Sequence, residues 1–461
     1  MKPPENCLWS DVAALTPPTD RFLSDRNGRV LLHDLGSASV LASGLDIYRG
    51  KSVLLLMARQ IFCALAMIDL DGLAARLILC PPGLTPAQLD DVIADTQPDI
   101  ILTDMPETPE IAGLPISFCG SALHAIDGRP APERSSQWLL FTSGTTGRPK
   151  AVVHGLASLT APLRGSAQFP NAVWSTFYDI RRYGGLTILL RALLGGGSMI
   201  FSEAGEPIAD FLLRAGADGV THISGTPSHW RQALMSGVAE KFRPAYVRLS
   251  GEPADQAILD ALQAGFPTAQ VSHAFASTEA GVAFDVRDGR AGFPESILEQ
   301  RGNGVELKIE NDTLRIRSAR TAANYLRGDL QLQGQDGFVD TGDIVALRDG
   351  RYHFIGRREG IINVGGQKVH PEEVEAVINL HSAVQMSLVR PRRSPITGAL
   401  VVADVVIRPD RLTEGASFEA IRDEIFAQCR AALPAHKVPA QIRQVVSLNL
   451  APSGKLLRSN A

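Results

Sequence analysis

Hydrophobic positions along the 461-residue chain fall into two regimes. From about residue 50 to residue 280, short apolar runs alternate with stretches of helical spacing. The runs at 52–57, 76–80 and 99–103 have the length and composition of buried strands. Between the last two lies Thr85-Pro86-Ala87-Gln88, a capping box with proline at the first helical position. Leu89, Val92 and Ile93 follow at helical spacing and complete a strand–helix–strand unit. The alternation resumes at 220–224 with a helix after Pro227, and at 246–250 with a helix from Pro253. The prediction is α/β: a large N-terminal domain of mostly parallel sheets with flanking helices.

After about residue 300 the pattern changes. Apolar runs at 344–348 and 351–355 flank Asp349-Gly350, an antiparallel hairpin signal. A charged, glycine-bearing stretch, 356–360, then separates this region from a helix start at Pro371-Glu372-Glu373, with acid in the first turn. Strands are expected at 384–389 and 400–407, and a helix at 417–430 with Phe418, Ile421 and Ile425 on its apolar face. The chain therefore divides into a large domain at 1–356, a hinge at 357–360 and a small α+β domain at 361–461.

Charge narrows the classes of partner. Lys plus Arg number 45 and Asp plus Glu 49, a net −4, so no basic field points to nucleic acid or an anionic membrane. The longest apolar run, 61–68, is eight residues, too short to span a bilayer. Residues 1–6 lack the apolar stretch of a signal peptide. Five scattered cysteines without metal-ligand spacing argue against structural zinc and a disulfide framework, and Cys63 and Cys80 read as small core residues. A cytoplasmic setting is expected.

The sharpest local feature is the stretch 139–150, where an apolar strand runs into Thr142-Ser143-Gly144-Thr145-Thr146-Gly147-Arg148-Pro149-Lys150. Glycines let backbone N–H groups surround an anion, hydroxyls add uncharged donors and Lys150 adds a point charge. The Gly-Lys-Ser/Thr ending of a Walker A loop is missing. The plain alternative is a flexible Ser/Thr/Gly surface loop.

This stretch resembles the phosphate loop of the adenylate-forming superfamily, which includes acyl- and aryl-CoA synthetases, luciferases and nonribosomal peptide adenylation domains. Ala151 replaces that loop's final glycine. Further motifs follow in the family's order. Ser250-Gly251-Glu252-Pro253 is similar to its adenine-contacting turn, and Phe275-Ala276-Ser277-Thr278-Glu279 to its aromatic-G-x-T-E motif, with Ala276 for glycine. Thr341-Gly342-Asp343 resembles its ribose-binding motif. Gly356-Arg357, followed by Gly365-Gly366 and Pro371-Glu372-Glu373, resembles its hinge and C-terminal signature. Pro452-Ser453-Gly454-Lys455 is similar to its terminal catalytic-lysine motif, with Asn449 and Ala451 where Pro and Thr are usual.

The resemblance implies that ATP and a carboxylic acid form an acyl-adenylate with release of pyrophosphate, and that the thiol of coenzyme A then attacks it. A stand-alone enzyme loading a separate carrier protein is one alternative, and a non-catalytic nucleotide-binding relative another. Each pair of unit charges 4 Å apart repels by about 4 kcal/mol at an effective dielectric near 20, so a carboxylate approaching a polyanion needs a cation between them. Lys455 is implied in that role, with Thr278 on the α-phosphate and Glu279 on Mg²⁺. Gly251, Glu252, Pro253, Ala274 and Phe275 are implied around the adenine, and Asp343 and Arg357 at the ribose. Glu359 is the implied pivot of a rotating small domain, with Gly365, Gly366 and Lys368 along the channel for coenzyme A. Gly365-Gly366 as nothing more than a tight turn stays open beside that reading. An acyl pocket is expected from Tyr178, Tyr183, Gly184, Thr226, Ala276 and Gly281, or these aromatics are simply core. Asp179 is a candidate partner for a substrate amine, and His229 reads as a satisfied loop histidine. The phosphate loop begins early for this family; thinner helical packing or a homodimer surface are the two alternatives.

Overall fold

The computed structural model describes residues 6–15, 20–108, 111, 113–142, 148–163, 169–300, 304–327, 331–394, 398–413, 417–451 and 454–457. Two eight-stranded sheets dominate it. In one, the strands Gln270–Ser277, Tyr246–Ser250, His222–Gly225, Val173–Thr176, Ser198–Phe201 and Phe22–Asp25 pair in parallel, with an antiparallel strand at each edge. The other is parallel through Gln137–Thr142, Arg76–Leu79, Ser52–Leu56, Ile100–Thr103 and Ile116–Ala125, again with antiparallel edges. Strand–helix crossovers account for this arrangement: parallel neighbours need a connection long enough to return, and the predicted helices supply it.

Two helices lie between these sheets. Gln60–Leu70 buries ten of its residues and Tyr183–Leu194 nine. The run at 61–68 is thus apolar on every side because the helix carrying it is covered on every side. One continuous core joins both helices to Leu77, Leu102 and Trp138 of one sheet and Leu23, Trp174 and Met199 of the other. Cys63 is buried there and Cys80 in a second cluster with Leu54 and Ile78, where burial pushes its thiol up to about 12.

Local signals in the sequence resolve as expected chemistry. Thr85 Oγ1 accepts the N–H of Gln88 at 3.3 Å while Gln88 Oε1 accepts that of Thr85 at 3.0 Å. Asp349 and Gly350 take φ of 48° and 72°, the paired left-handed values of a tight hairpin turn. The helix expected from Pro253 begins at Gln256, because Asp255 caps it by accepting the Ile258 N–H at 3.0 Å.

A five-stranded antiparallel sheet, with Val339–Arg348 and Arg351–Arg357 among its strands, closes the large body. Beyond it the hairpin Ile362–Val364/Gln367–Val369, the sheet of Val384–Ser394, Gly398–Ile407 and Gln441–Gln444, and the helices Pro371–Asn379 and Phe418–Ala432 form a separate hydrophobic cluster. A short turn of 3₁₀ helix, Arg358–Gly360, connects the two regions. No helix among the described residues is long and apolar enough to cross a membrane.

Candidate active site

The C-terminal ends of the parallel strands in the first sheet carry the site, where open α/β sheets place their ligands. Strand Tyr246–Ser250 delivers Gly251, whose φ of +87° favours glycine. A Cβ added there would meet Thr226 Cγ2 at 3.7 Å, Lys455 Cε at 3.8 Å and the Tyr178 hydroxyl at 3.9 Å. Residues predicted from four distant segments therefore converge on one turn. Tyr178 is buried, donates to the Ser250 carbonyl at 2.6 Å, and has its phenol pKa pushed up by burial.

Lys455 is an exposed residue whose protein surroundings still desolvate its ammonium. Burial lowers its pKa first and the nearby Arg357 guanidinium adds to that; Glu252, Asp343 and Glu279 pull the other way. The ammonium thus senses three carboxylates and a second cation, all from the predicted set. Asp343 and Arg357 face each other across paired strands, with Arg357 Nε 3.3 Å from Asp343 Oδ1. Burial pushes the Asp343 carboxyl above its ordinary range, against Arg357 and Lys455.

Thr278 and Glu279 follow the strand Gln270–Ser277 directly. The Thr278 carbonyl accepts a hydrogen bond from His154 Nε2 at 2.7 Å, which ties the two large sheets together. The Glu279 carboxylate accepts from the Tyr325 hydroxyl at 3.4 Å, and burial together with that carboxylate raises the Tyr325 phenol to about 12. Thr142 and Lys150 pair across the strands on either side of the phosphate loop. Ser143, Gly144, Thr145, Thr146 and Gly147 lie outside the described residues. Arg148 anchors the loop's return, 2.7 Å from Asp95.

The other predicted residues have the following surroundings. Phe275 packs its ring in parallel on Phe354 at 5.2 Å, in the aromatic cluster beside the five-stranded sheet, whereas Ala274 is buried and Ala276 faces the main core. The Glu252 carboxylate accepts the N–H groups of Ser228 at 3.1 Å and Leu456 at 3.0 Å. Pro253 leads into the helix capped by Asp255. Tyr183 is buried with its ring 5.6 Å from that of His154. A Cβ on Gly184 would touch the Tyr178 ring at 3.4 Å, and one on Gly281 would meet Arg320 Cβ at 2.6 Å, so both glycines permit close packing. Asp179 is engaged by Arg181, with Nε 2.7 Å from Oδ1. Gly365 and Gly366 take φ of 58° and 86° in their hairpin, which fits the tight-turn alternative; Lys368 is exposed beside them and Glu359 lies in the 3₁₀ connection.

Sequence reasoning passed over His154 and Tyr325. His154 carried a signal, a lone imidazole inside an apolar strand; it is buried and its pKa falls to about 4. His229 is satisfied, as expected, but on a helix rather than a loop: it sits in the first turn of Pro227–Met235, with Nδ1 3.1 Å from Thr226 Oγ1.

Comparison with known proteins places this geometry. The AMP-binding enzyme family matches residues 35–322, and the AMP-binding enzyme C-terminal domain matches 373–455. The chain is 24% identical to a 2-succinylbenzoate–CoA ligase of Staphylococcus epidermidis over 73% of this chain and 71% of that protein. Among solved structures, an anthranilate CoA ligase in complex with anthranoyl-AMP superposes with a TM-score of 0.82 at 18% identity, covering 98% of this chain and 96% of that one. A benzoate CoA ligase from Burkholderia xenovorans gives 0.81 at 20% identity, covering 98% of each. With both family matches spanning the residues that meet at Gly251, the chain belongs to the family of AMP-binding enzymes.

Proposed function

We propose that this protein is an ATP-dependent acid–CoA ligase acting on an aromatic carboxylic acid. One observation carries the reading: Lys455 reaches the Gly251 turn while sensing Asp343, Glu279 and Arg357. A cation in that position neutralises the repulsion between an incoming carboxylate and the α-phosphate, about 4 kcal/mol per charge pair at 4 Å and an effective dielectric near 20. It also stabilises the charge that builds as a carboxylate oxygen bonds to the α-phosphorus and pyrophosphate leaves. Asp343 and Arg357 suit ribose hydroxyls, and Thr142, Lys150 and the loop between them suit the phosphates. The aromatic substrate class rests on relatives named for 2-succinylbenzoate, anthranilate and benzoate.

Among the described residues no group of three or more His, Cys, Asp or Glu is placed to hold a metal by itself. Glu279, a single carboxylate, fits Mg²⁺ shared with nucleotide phosphates, a cation that usually keeps few protein ligands. Bound there, the ion would supply charge neutralisation on the phosphates.

The large domain at 1–356 and small domain at 361–461 would pivot at Glu359 between half-reactions, withdrawing Lys455 and bringing Gly365, Gly366 and Lys368 toward the adenylate. A panel of carboxylic acids scored for pyrophosphate release, with and without coenzyme A, tests the reading. Acid-dependent release with acyl-CoA as product is expected. Release indifferent to coenzyme A, with no acyl-CoA formed, would assign the second step to a carrier protein; no release with any acid would remove the ligase reading.

A further inference from the structure

The two residues flanking Lys455 are each held by the large domain. Thr226 Oγ1 donates to the Gly454 carbonyl at 2.6 Å, and Glu252 Oε1 accepts the Leu456 N–H at 3.0 Å. The second oxygen of Glu252 accepts the Ser228 N–H at 3.1 Å, which fixes the carboxylate on the first turn of the helix Pro227–Met235. Thr226 caps that same helix, accepting the His229 N–H at 3.0 Å. The helix start, with the Glu252 carboxylate fixed on it, therefore grips the chain on both sides of Lys455.

Further bonds cross this junction among the described residues. Asn379 Nδ2 donates to Asp255 at 3.0 Å, Arg348 Nη2 to Glu373 at 2.9 Å, and Arg231 Nη1 to the Gln385 carbonyl at 3.4 Å. Junctions of this kind separate and reform without exposing a large apolar surface. Glu252 and Thr226 make the bonds nearest the lysine, so they govern where it stands.

We propose that Glu252 and Thr226 are positioning residues that latch the Lys455 segment onto the large domain for acid activation, and that release of these bonds frees the segment for thiol attack. The proposal deepens the ligase reading and rests on it for its kinetic consequence. Neither side chain needs to touch the reacting atoms. As a carboxylate, Glu252 accepts from both N–H groups at once; a carboxamide would turn its NH₂ toward one of them.

Two measurements on the full chain test the latch with E252Q, T226V and T226S. The first is amide hydrogen exchange at residues 454–457 without ligands. The second is the ratio of acid-dependent ATP–pyrophosphate exchange to thioester formation from supplied acyl-adenylate. Loss of one charge-assisted bond should speed exchange at Leu456 roughly tenfold in E252Q. The rate ratio should fall by a similar factor in E252Q and T226V, while T226S, which keeps the hydroxyl, stays near wild type. Unchanged amide exchange in both E252Q and T226V overturns the latch. So does an equal fall of both half-reactions with T226S no better than T226V. Wild-type protein without pyrophosphate exchange for any acid counts against the ligase reading instead, and the amide measurement still decides the latch.

Discussion

Gly454→Ala is the most discriminating single change at this site. Gly454 has φ of +75°, where a non-glycine residue costs about 1–2 kcal/mol. Its missing Cβ would meet His229 at 2.7 Å from Nδ1 and 2.5 Å from Nε2, with Cε1 closer still. Carbon contacts begin at about 3.5 Å and Cε1 is the closest atom, so the backbone must retreat by roughly 2 Å or the imidazole must swing aside. The ring has little freedom: Nδ1 lies 3.1 Å from Thr226 Oγ1, and Phe177 stacks on it at 5.2 Å. The lysine segment is therefore the part that moves. A displacement near 1 Å of a catalytic group costs on the order of 100-fold in rate. The clash demands more than that displacement, so the variant should lose at least about 100-fold in acid-dependent ATP–pyrophosphate exchange, while thioester formation from supplied acyl-adenylate falls far less. Adding His229→Ala removes the obstacle and should recover part of the loss, a coupling read from the double-mutant cycle. Exchange within twofold of wild type in Gly454→Ala, or no recovery in the double variant, would refute this account of how Lys455 is positioned.

Other expectations follow from the same geometry. Lys455→Ala should depress pyrophosphate exchange by about 100-fold or more while retaining transfer from supplied acyl-adenylate; undiminished exchange would remove Lys455 from the first step. Burial and Arg357 hold the Lys455 pKa below that of a free lysine, so exchange should be lost as pH rises through that lowered value. An alkaline limb at or above the free-lysine value, about 10.4, would contradict that placement. Buried His154 titrates near 4 in the fold against 6.5 for the free side chain, so the unfolded chain binds more protons between those values. Its contribution is complete above 6.5 and lost as pH falls toward 4, by about 3 kcal/mol at most. His154→Gln should flatten the fall of melting temperature over that window, and an unchanged slope would show that His154 does not carry it.

Much of this molecule was legible along the chain. Strands, helices and tight turns follow from local causes: apolar runs of strand length, the box at Thr85 and Gln88, the left-handed pair Asp349-Gly350. The motifs that meet at Gly251 were also legible, because each keeps its residue types at short spacing. Tertiary structure alone decided how they meet. That the run at 61–68 is a helix covered by two sheets depends on both sheets being present. The Phe275 ring packs on Phe354, a partner from another sheet that no local pattern names. Glu252 was read from its neighbours as part of an adenine turn, but its carboxylate bonds the chain 204 residues later. Thr226 and Gly454 are 228 residues apart, and no local pattern encodes a bond between a cap hydroxyl and a distant carbonyl. Sequence periodicity and turn chemistry act over a few residues and therefore determine elements. The position of Lys455 depends on hydrogen bonds that exist only after those elements have packed.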